Sequence, residues 1–267
     1  MNILFIGDIV GKQGRDVVRQ ELPKLKQERN IHLVIANAEN IAHGMGATGE
    51  TIQELLDAGV HFFTSGNHIW HTKEIISKLN DKQYPLLRPA NYPQGNPGRG
   101  YGIVETALLK KVLVINLQGR IFMPEGLDSP FYTADRILSE YAQDRNISAI
   151  IVDVHAEATS EKHALRHYLD GRVTALLGTH THVQTNDAYI TPRGMAYITD
   201  VGMSGVYYPS VIGVHPQSSL DLFLLAKSNK WELAEGDAIF QAVFIEVDES
   251  TKQAVLIETI QRGNKKC

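Results

Sequence analysis

Cysteine is almost missing from this chain: among 267 residues there is one, Cys267. A single thiol closes no disulfide within the chain and builds no cysteine-ligated zinc site, and a reducing cytoplasm is the expected setting. Long apolar runs are missing too. A membrane-spanning helix needs about 18 consecutive apolar residues, and no such run occurs. The opening Met-Asn-Ile-Leu-Phe-Ile-Gly-Asp carries neither the basic lead nor the length of a signal peptide, so a soluble protein that is not exported and has no membrane partner is expected. Nor is there an excess of one charge: 26 Lys and Arg face 30 Asp and Glu, for a formal net charge of -4. With 21% charged residues and no long single-sign run, both disorder and nucleic-acid binding through bulk positive charge are disfavoured, while local basic patches remain open. What is present is enough apolar material for a substantial core, 43% of residues. No repeat, low-complexity tract or linker interrupts the chain, and one domain over 1–267 is expected.

Short runs rich in Val and Ile at 3–6, 33–36, 62–64, 112–116, 150–154, 174–177 and 196–199 read as strands. Between them, 15–27, 51–58, 73–79, 134–143 and 162–168 have helical spacing, with Gly59 placed as a C-terminal stop. Alternation of this kind predicts an α/β layered fold. Residues 84–101 carry four prolines and three glycines and read as loop. Near the end, 240–247 and 254–260 flank a polar turn and read as a hairpin, marking a second sheet or a sheet edge.

The informative residues stand at the ends of the strands. Asp8 comes after the first, Glu39 and Asn40 after the second, Asn67 and His68 after the third, Asn116 after the fourth, His155 after the fifth, and His180 and His182 after the sixth. Parallel strands share one C-terminal edge, so side chains far apart in sequence converge there. Carboxylate, amide and imidazole groups together suit a metal site, and two ions roughly 3.5 to 4 Å apart need a bridging carboxylate, for which Glu39 is the natural candidate. Two imidazoles two positions apart share a side on an extended segment, whereas a turn directs His180 and His182 to different ions. Taken singly, Asp8 reads as a cap and Gly66-Asn67-His68 as a tight turn; their ordered recurrence at strand ends is the signal. His32, His61, His163, His167 and His215 read as surface or structural, and Asp200 as a supporting residue.

The ordered set Gly7-Asp8, Glu39-Asn40, Gly66-Asn67-His68, His155 and Gly178-Thr179-His180-Thr181-His182 resembles the calcineurin-like metallophosphoesterase superfamily. The phrases Phe-Ile-Gly-Asp-Ile-Val-Gly (5–11), Asn-Ala-Glu-Asn (37–40), Asn-Leu-Gln-Gly-Arg (116–120), His-Ala-Glu-Ala-Thr-Ser-Glu-Lys (155–162) and Ile-Thr-Asp-Val-Gly-Met (198–203) are similar to its bacterial YmdB branch. Two departures from the wider superfamily stand out: Val10 occupies the position of a usual histidine ligand, and Glu39 replaces the bridging aspartate. The resemblance implies a four-layer αββα sandwich with two mixed sheets. It also implies Asp8, Glu39, Asn40 and His182 on one metal and Glu39, Asn67, His155 and His180 on the other, with iron (Fe2+/Fe3+) as the metal and Mn2+ as a substitute.

Such a pair lowers the pKa of a water toward neutrality and binds phosphoryl oxygens, so the hydroxide attacks phosphorus without a protein nucleophile. His68, beside Asn67, is placed to protonate the leaving oxygen, a role given by both its spacing and the resemblance. The resemblance implies a phosphodiesterase acting on cyclic nucleotides, with 2',3' and 3',5' rings both open. Arg120 and His43 are candidate contacts for phosphate or base. The alternative is a regulatory protein that binds metal and nucleotide and acts through a partner such as an RNA-processing enzyme; a homo-oligomer fits either. An oxidoreductase is disfavoured because the glycines at 44–49 begin well beyond the second strand and no ribose-binding acid stands at the required distance after them. Gly11-Lys12-Gln13 lacks the Ser or Thr of a phosphate loop, and 202–205 lacks the spacing of a nucleophile elbow.

Overall fold

The computed structural model describes residues 1–123, 126–227 and 231–263; Cys267 lies outside the described residues. In chain order the elements are β1 (Asn2–Ile9), α1 (Gly11–Arg29), β2 (Leu33–Asn37), α2 (Gly49–Asp57), β3 (Phe62–Thr64), a 3-10 turn (Asn67–Trp70), α3 (Lys73–Leu79), β4 (Tyr101–Glu105) and β5 (Lys111–Gln118). Next come α4 (Pro130–Tyr141), β6 (Ile147–His155), α5 (Thr159–Leu169), β7 (Ala175–Thr179), β8 (Tyr189–Ile190), β9 (Ala196–Ile198), β10 (Met203–Tyr208), α6 (Pro216–Leu225), β11 (Asp237–Asp248) and β12 (Gln253–Gly263). One sheet has the order β12-β11-β10-β1-β2-β3, the other β4-β5-β6-β7-β9-β8. Both are mixed: β1, β2 and β3 run parallel, as do β5, β6, β7 and β9, while β4, β8, β11 and β12 pair antiparallel.

Alternation along the strands builds the layers. In β1, Ile3 and Phe5 face the second sheet and pack against Val112, Val114, Ile151 and Leu177. Leu4 and Ile6 face the other way, onto Val18, Leu22 and Leu25 of α1, Leu55 of α2 and Ile75 of α3. The second sheet does the same, with Leu113, Ile115 and Val154 packed under Ile137 of α4 and Leu165 of α5. Three apolar interfaces therefore separate four layers, which is the expected αββα sandwich. Both faces of the central strands are dry, so these strands read as unbroken apolar runs.

At one level along the strands the interior face turns polar. Asn37 on β2 and Thr64 on β3 meet Asp153 on β6 and Thr179 on β7, all wholly buried. Asn116 and Gln118 occupy the same inward row of β5 as Val112 and Val114 and are equally buried. The expected ends of β1, β5 and β6 are one to three residues short for this reason: the ladder continues through Asp8, Gln118 and His155, polar residues buried inside the protein. Four elements were invisible to periodicity: the edge strand β4, the two-residue β8, the short β10 inserted between β1 and β11, and α6, which buries none of its residues. The C-terminal hairpin forms the edge of the first sheet. Gly59 comes just after α2 with φ 103, the left-handed conformation expected of a stop.

The turn beyond β7 is pinned by an ion pair away from water. Lys162 of α5 is fully buried and donates to Asp200 Oδ2 at 2.8 Å and to the Thr179 carbonyl at 2.9 Å. Asp200 Oδ2 also accepts the Thr181 N–H at 3.1 Å, and Oδ1 the Gly202 N–H at 2.8 Å. Removing one member of such a pair strands the other charge. Lys162→Met is expected to lower unfolding stability by about 3–5 kcal/mol in urea melts, and an unchanged midpoint would show that Asp200 is satisfied without it.

Candidate metal centre

The polar side chains that close the strand rows meet at the edge shared by both sheets. Asp8 is the penultimate residue of β1, His155 the last of β6, and Glu39 and Asn40 occupy the turn just past β2. Asn67 and His68 open the 3-10 turn after β3. Between β3 and that turn, Gly66 passes so near the opposite sheet that a Cβ would stand 2.2 Å from His155 Cδ2 and 2.3 Å from Glu39 Oε2. Only glycine allows that approach.

Glu39 lies at the centre. Its Oε1 is 3.2 Å from Asn40 Nδ2 and 3.2 Å from His68 Nδ1, while Oε2 is 3.2 Å from His155 Nε2 and accepts the His68 N–H at 3.2 Å. The two oxygens thus serve two different neighbourhoods. In one, His180 Nδ1 stands 3.0 Å from His155 Nε2, and donor atoms of Glu39, His155 and His180 all lie within 4.8 Å of one another. In the other, His182 Nε2 is 3.2 Å from Asn40 Nδ2 and 3.8 Å from Asp8 Oδ1. The strand ends at Thr179, and His180 and His182 both have positive φ, 102 and 63. A left-handed backbone at two bulky residues sends their rings apart, so the turn and not the extended geometry holds.

Two buried oxygens in this cluster, Asp8 Oδ1 and Asn67 Oδ1, make no hydrogen bond. An unsatisfied buried acceptor costs about 1–3 kcal/mol, and two of them beside carboxylates and imidazoles form a cradle that a cation would satisfy. The charge balance agrees. Burial opposes ionisation of Glu39, yet His155 and His68 beside it hold its carboxyl well below the usual range. Burial also opposes charge on His155, but Glu39, Asp8 and Asp153 lift it to about 9. His180 is pushed down to about 3 by burial and by the adjacent His155 charge. The site therefore attracts positive charge, carried here by a proton that a metal ion would displace.

The imidazoles are aimed from behind. His155 Nδ1 donates to Thr179 Oγ1 at 2.9 Å, and that hydroxyl donates to Asp153 Oδ1 at 2.7 Å. Asp153 Oδ2 accepts from Thr64 Oγ1 and, at 3.0 Å, from Asn37 Nδ2. His155 Nε2 is left toward Glu39, the arrangement that orients metal-bound histidines. His182 Nδ1 donates to the Ile212 carbonyl at 2.9 Å, which turns its Nε2 toward Asn40 and Asp8.

Close contacts bring Asp8, Glu39, Asn40, His68, His155, His180 and His182 together, and Asn67 stands between Gly66 and His68, both of which lie against Glu39. Of the other candidates, His43 is exposed on the loop after Glu39. Arg120 is exposed, and its backbone N–H donates to Glu161 at 2.9 Å. Asp200 supports the 179–182 turn as expected. Sequence reading missed Asn37, Thr64, Asp153 and Thr179, and it missed Gln118, the in-register neighbour of His155. The Gln118 side-chain amide is buried without an ordinary hydrogen bond, and the Tyr92 hydroxyl lies beside it. A usable signal existed: a polar residue two positions after a buried apolar one keeps its inward direction.

The family model described as YmdB-like protein matches residues 4–260. A 2',3'-cyclic-nucleotide 2'-phosphodiesterase of Bacillus subtilis (strain 168) is 47% identical over 260 residues, 97% of this chain and 96% of that protein. A crystal structure of a hypothetical protein from Thermus thermophilus superposes with a TM-score of 0.90 at 41% identity, over 98% of this chain and 99% of that one. A crystal structure described as a novel phosphatase of Mycoplasma pneumoniae gives a TM-score of 0.91 at 38% identity, over 98% and 93%. On these matches the chain belongs to the YmdB-like family, and through it to the metallophosphoesterase superfamily.

Proposed function

We propose that the protein is a dinuclear metal-dependent phosphodiesterase that opens 2',3'-cyclic nucleotides at the 2' ester. The observation that carries this reading is Glu39, a buried carboxylate with one oxygen toward Asn40 and His68 and the other toward His155, flanked by the unpartnered Asp8 Oδ1 and Asn67 Oδ1. The name of the Bacillus subtilis relative supports the choice of the 2',3' ring over the 3',5' ring. Asp8, Glu39, Asn40 and His182 would hold one ion, and Glu39, Asn67, His155 and His180 the other. A donor set of oxygen and imidazole without thiolate suits iron, with manganese as a substitute.

When bound, the two ions supply Lewis acidity, lowering the pKa of a water and neutralising phosphoryl charge. Residues of the chain do the rest. Thr179 and Asp153 fix the tautomer of His155, and Ile212 that of His182, so that both rings present Nε2 inward. Asn40 Oδ1 sits 2.8 Å from His68 Nδ1 and accepts its N–H, so in the imidazolium form the Nε2–H is the proton left to pass to the departing alkoxide, and the ring returns to its neutral Nδ1–H tautomer. His68 is partly open to solvent, as a group that meets substrate must be.

Two measurements test this. His68→Ala is expected to retain its metal and to lose roughly 10²–10⁴-fold in kcat on 2',3'-cyclic nucleotides, with a far smaller loss on bis-p-nitrophenyl phosphate, whose leaving group needs no proton. Equal losses on both substrates would take proton donation away from His68. Asn67→Leu is expected to lower iron content by elemental analysis from two ions per chain toward one and to abolish turnover. Full occupancy in that variant would remove Asn67 from the ligand set.

A further inference from the structure

Beside the metal centre, along the β4 edge of the second sheet, lies a cleft of about 800 Å³, within the size range of ligand pockets. The Pro- and Gly-rich loop preceding β4 forms one wall and α4 the other. Its character is basic and aromatic in a chain whose net charge is -4: Lys82, Arg88 and Arg99 line it together with Tyr92 and Tyr101.

Among the described residues, two of these cations have no acid paired with them. Arg88 is only 8% exposed, and its guanidinium donates to backbone carbonyls alone, Nη1 to Pro89 at 2.7 Å and Nε to Pro97 at 3.1 Å. Arg99 donates from Nη2 to the Tyr84 carbonyl at 3.2 Å and lies over the Phe62 ring, but its buried Nε has no partner. Among the described residues neither guanidinium has a carboxylate within 4.0 Å; Asp81 is felt by Arg99 from farther away, and Asp128 in the cleft is exposed. By contrast, the third arginine of the cleft, Arg136, is paired with Glu140 at 3.1 Å. Burial pushes the pKa of both Arg88 and Arg99 down, as it does for charges short of a counter-ion. Buried charge is ordinarily paired, and an anion from outside would supply the partner these guanidiniums lack.

The cleft approaches the metal centre through Tyr92, whose hydroxyl lies against Gln118, the in-register neighbour of His155. Tyr92 lines it and feels the charge of Glu39, and its ring meets Trp70 edge-on at 5.2 Å, on the same short turn that carries His68. Positive charge alternating with aromatic faces is how proteins track a single nucleic-acid strand.

We propose that this cleft binds the phosphodiester backbone of a single-stranded RNA whose 2',3'-cyclic terminus occupies the metal centre, so that the preferred substrate is an oligonucleotide end and not a free mononucleotide. The inference rests on the phosphodiesterase reading above and narrows its substrate. Arg88 and Arg99 receive the internucleotide phosphates, Lys82 extends the charge outward, and Tyr92 offers a base its ring.

The test compares kcat/KM of the metal-loaded enzyme on an RNA tetranucleotide ending in a 2',3'-cyclic phosphate with that on adenosine 2',3'-cyclic monophosphate. The tetranucleotide is expected to be favoured by about tenfold or more, an advantage that shrinks as salt rises. Arg99→Gln, and the exposed Lys82→Ala in case the first fails to fold, are each expected to lower kcat/KM for the tetranucleotide several-fold more than for the mononucleotide. Equal kcat/KM for the two substrates, or equal losses on both in the variants, would overturn the proposal. Should the wild type hydrolyse neither diester, the phosphodiesterase reading falls, and the cleft is then tested by fluorescence anisotropy with a labelled tetranucleotide carrying a 3'-phosphate. Binding whose log K falls with log salt by about 0.7 per phosphate contact, less steeply in Arg99→Gln, supports the cleft, and binding without salt dependence overturns it.

Discussion

A carboxylate kept ionised out of water is the constraint on which the rest of this molecule depends. Glu39 is 1% exposed and lies at the edge of two sheets whose common interior is apolar below the buried polar row. Charge in that position must be met by charge and by hydrogen bonds, because the medium around it answers neither. Hence imidazoles on one side, an amide on the other and a glycine at Gly66 where any larger residue would collide with the carboxylate itself. Asp8 adds a second buried acid that burial pushes up, so the pair shares what positive charge is present. A site assembled in this way is poised for a multivalent cation and poorly suited to stand without positive charge.

Delivering those groups is the work of the parallel strands. Because β1, β2 and β3 end on the same edge as β5, β6 and β7, one polar residue at each end suffices to build a cluster from distant parts of the chain. One row below, the sheets are tied by direct hydrogen bonds: Asn37 and Thr64 to Asp153, the Ser65 N–H to Asn116 Oδ1 at 2.9 Å, and the His180 N–H to Asp8 Oδ2 at 3.0 Å. Burial raises Asp153 to about 6, the mark of a carboxylate deep in the interior that three donors only partly compensate. Its place behind His155 makes that polarity useful, since it fixes which ring nitrogen faces Glu39.

Residues bearing chemistry were legible where the chain had to depart from its apolar pattern. Asp8, Glu39, Asn67, His155 and the His180-Thr181-His182 pair each break a Val- and Ile-rich run at its end, and such breaks are visible in one sequence. The supporting residues are harder to see. Asp153 and Thr179 sit inside or at the tip of an apolar strand, and only their parity with Ile151 and Leu177 marks them as inward. Where His180 and His182 point was undecidable from spacing, because the answer depends on two positive φ angles that no composition rule signals. Arg88 and Arg99 were hidden for a different reason. They belong to a stretch legible only as loop, and the cleft they line exists because β4 and α4 close it from the other side.

The proposed centre would draw Asp8, Glu39, Asn40 and Asn67 from the first sheet and its adjoining turns, and His155, His180 and His182 from the second. Neither half brings the whole donor set by itself. The distance between the halves is set by the apolar layer between the sheets, where Ile3, Phe5, Val114 and Ile151 pack at interior density. Cation affinity and sheet packing are therefore linked: whatever binds the closed arrangement more tightly than the loosened one stabilises that packing by mass action. The same linkage works in reverse. A void opened in the middle layer lets the two halves separate, so it weakens the site without touching a single donor, and the buried polar row that makes the chemistry possible stands only because the apolar rows beneath it hold the sheets together.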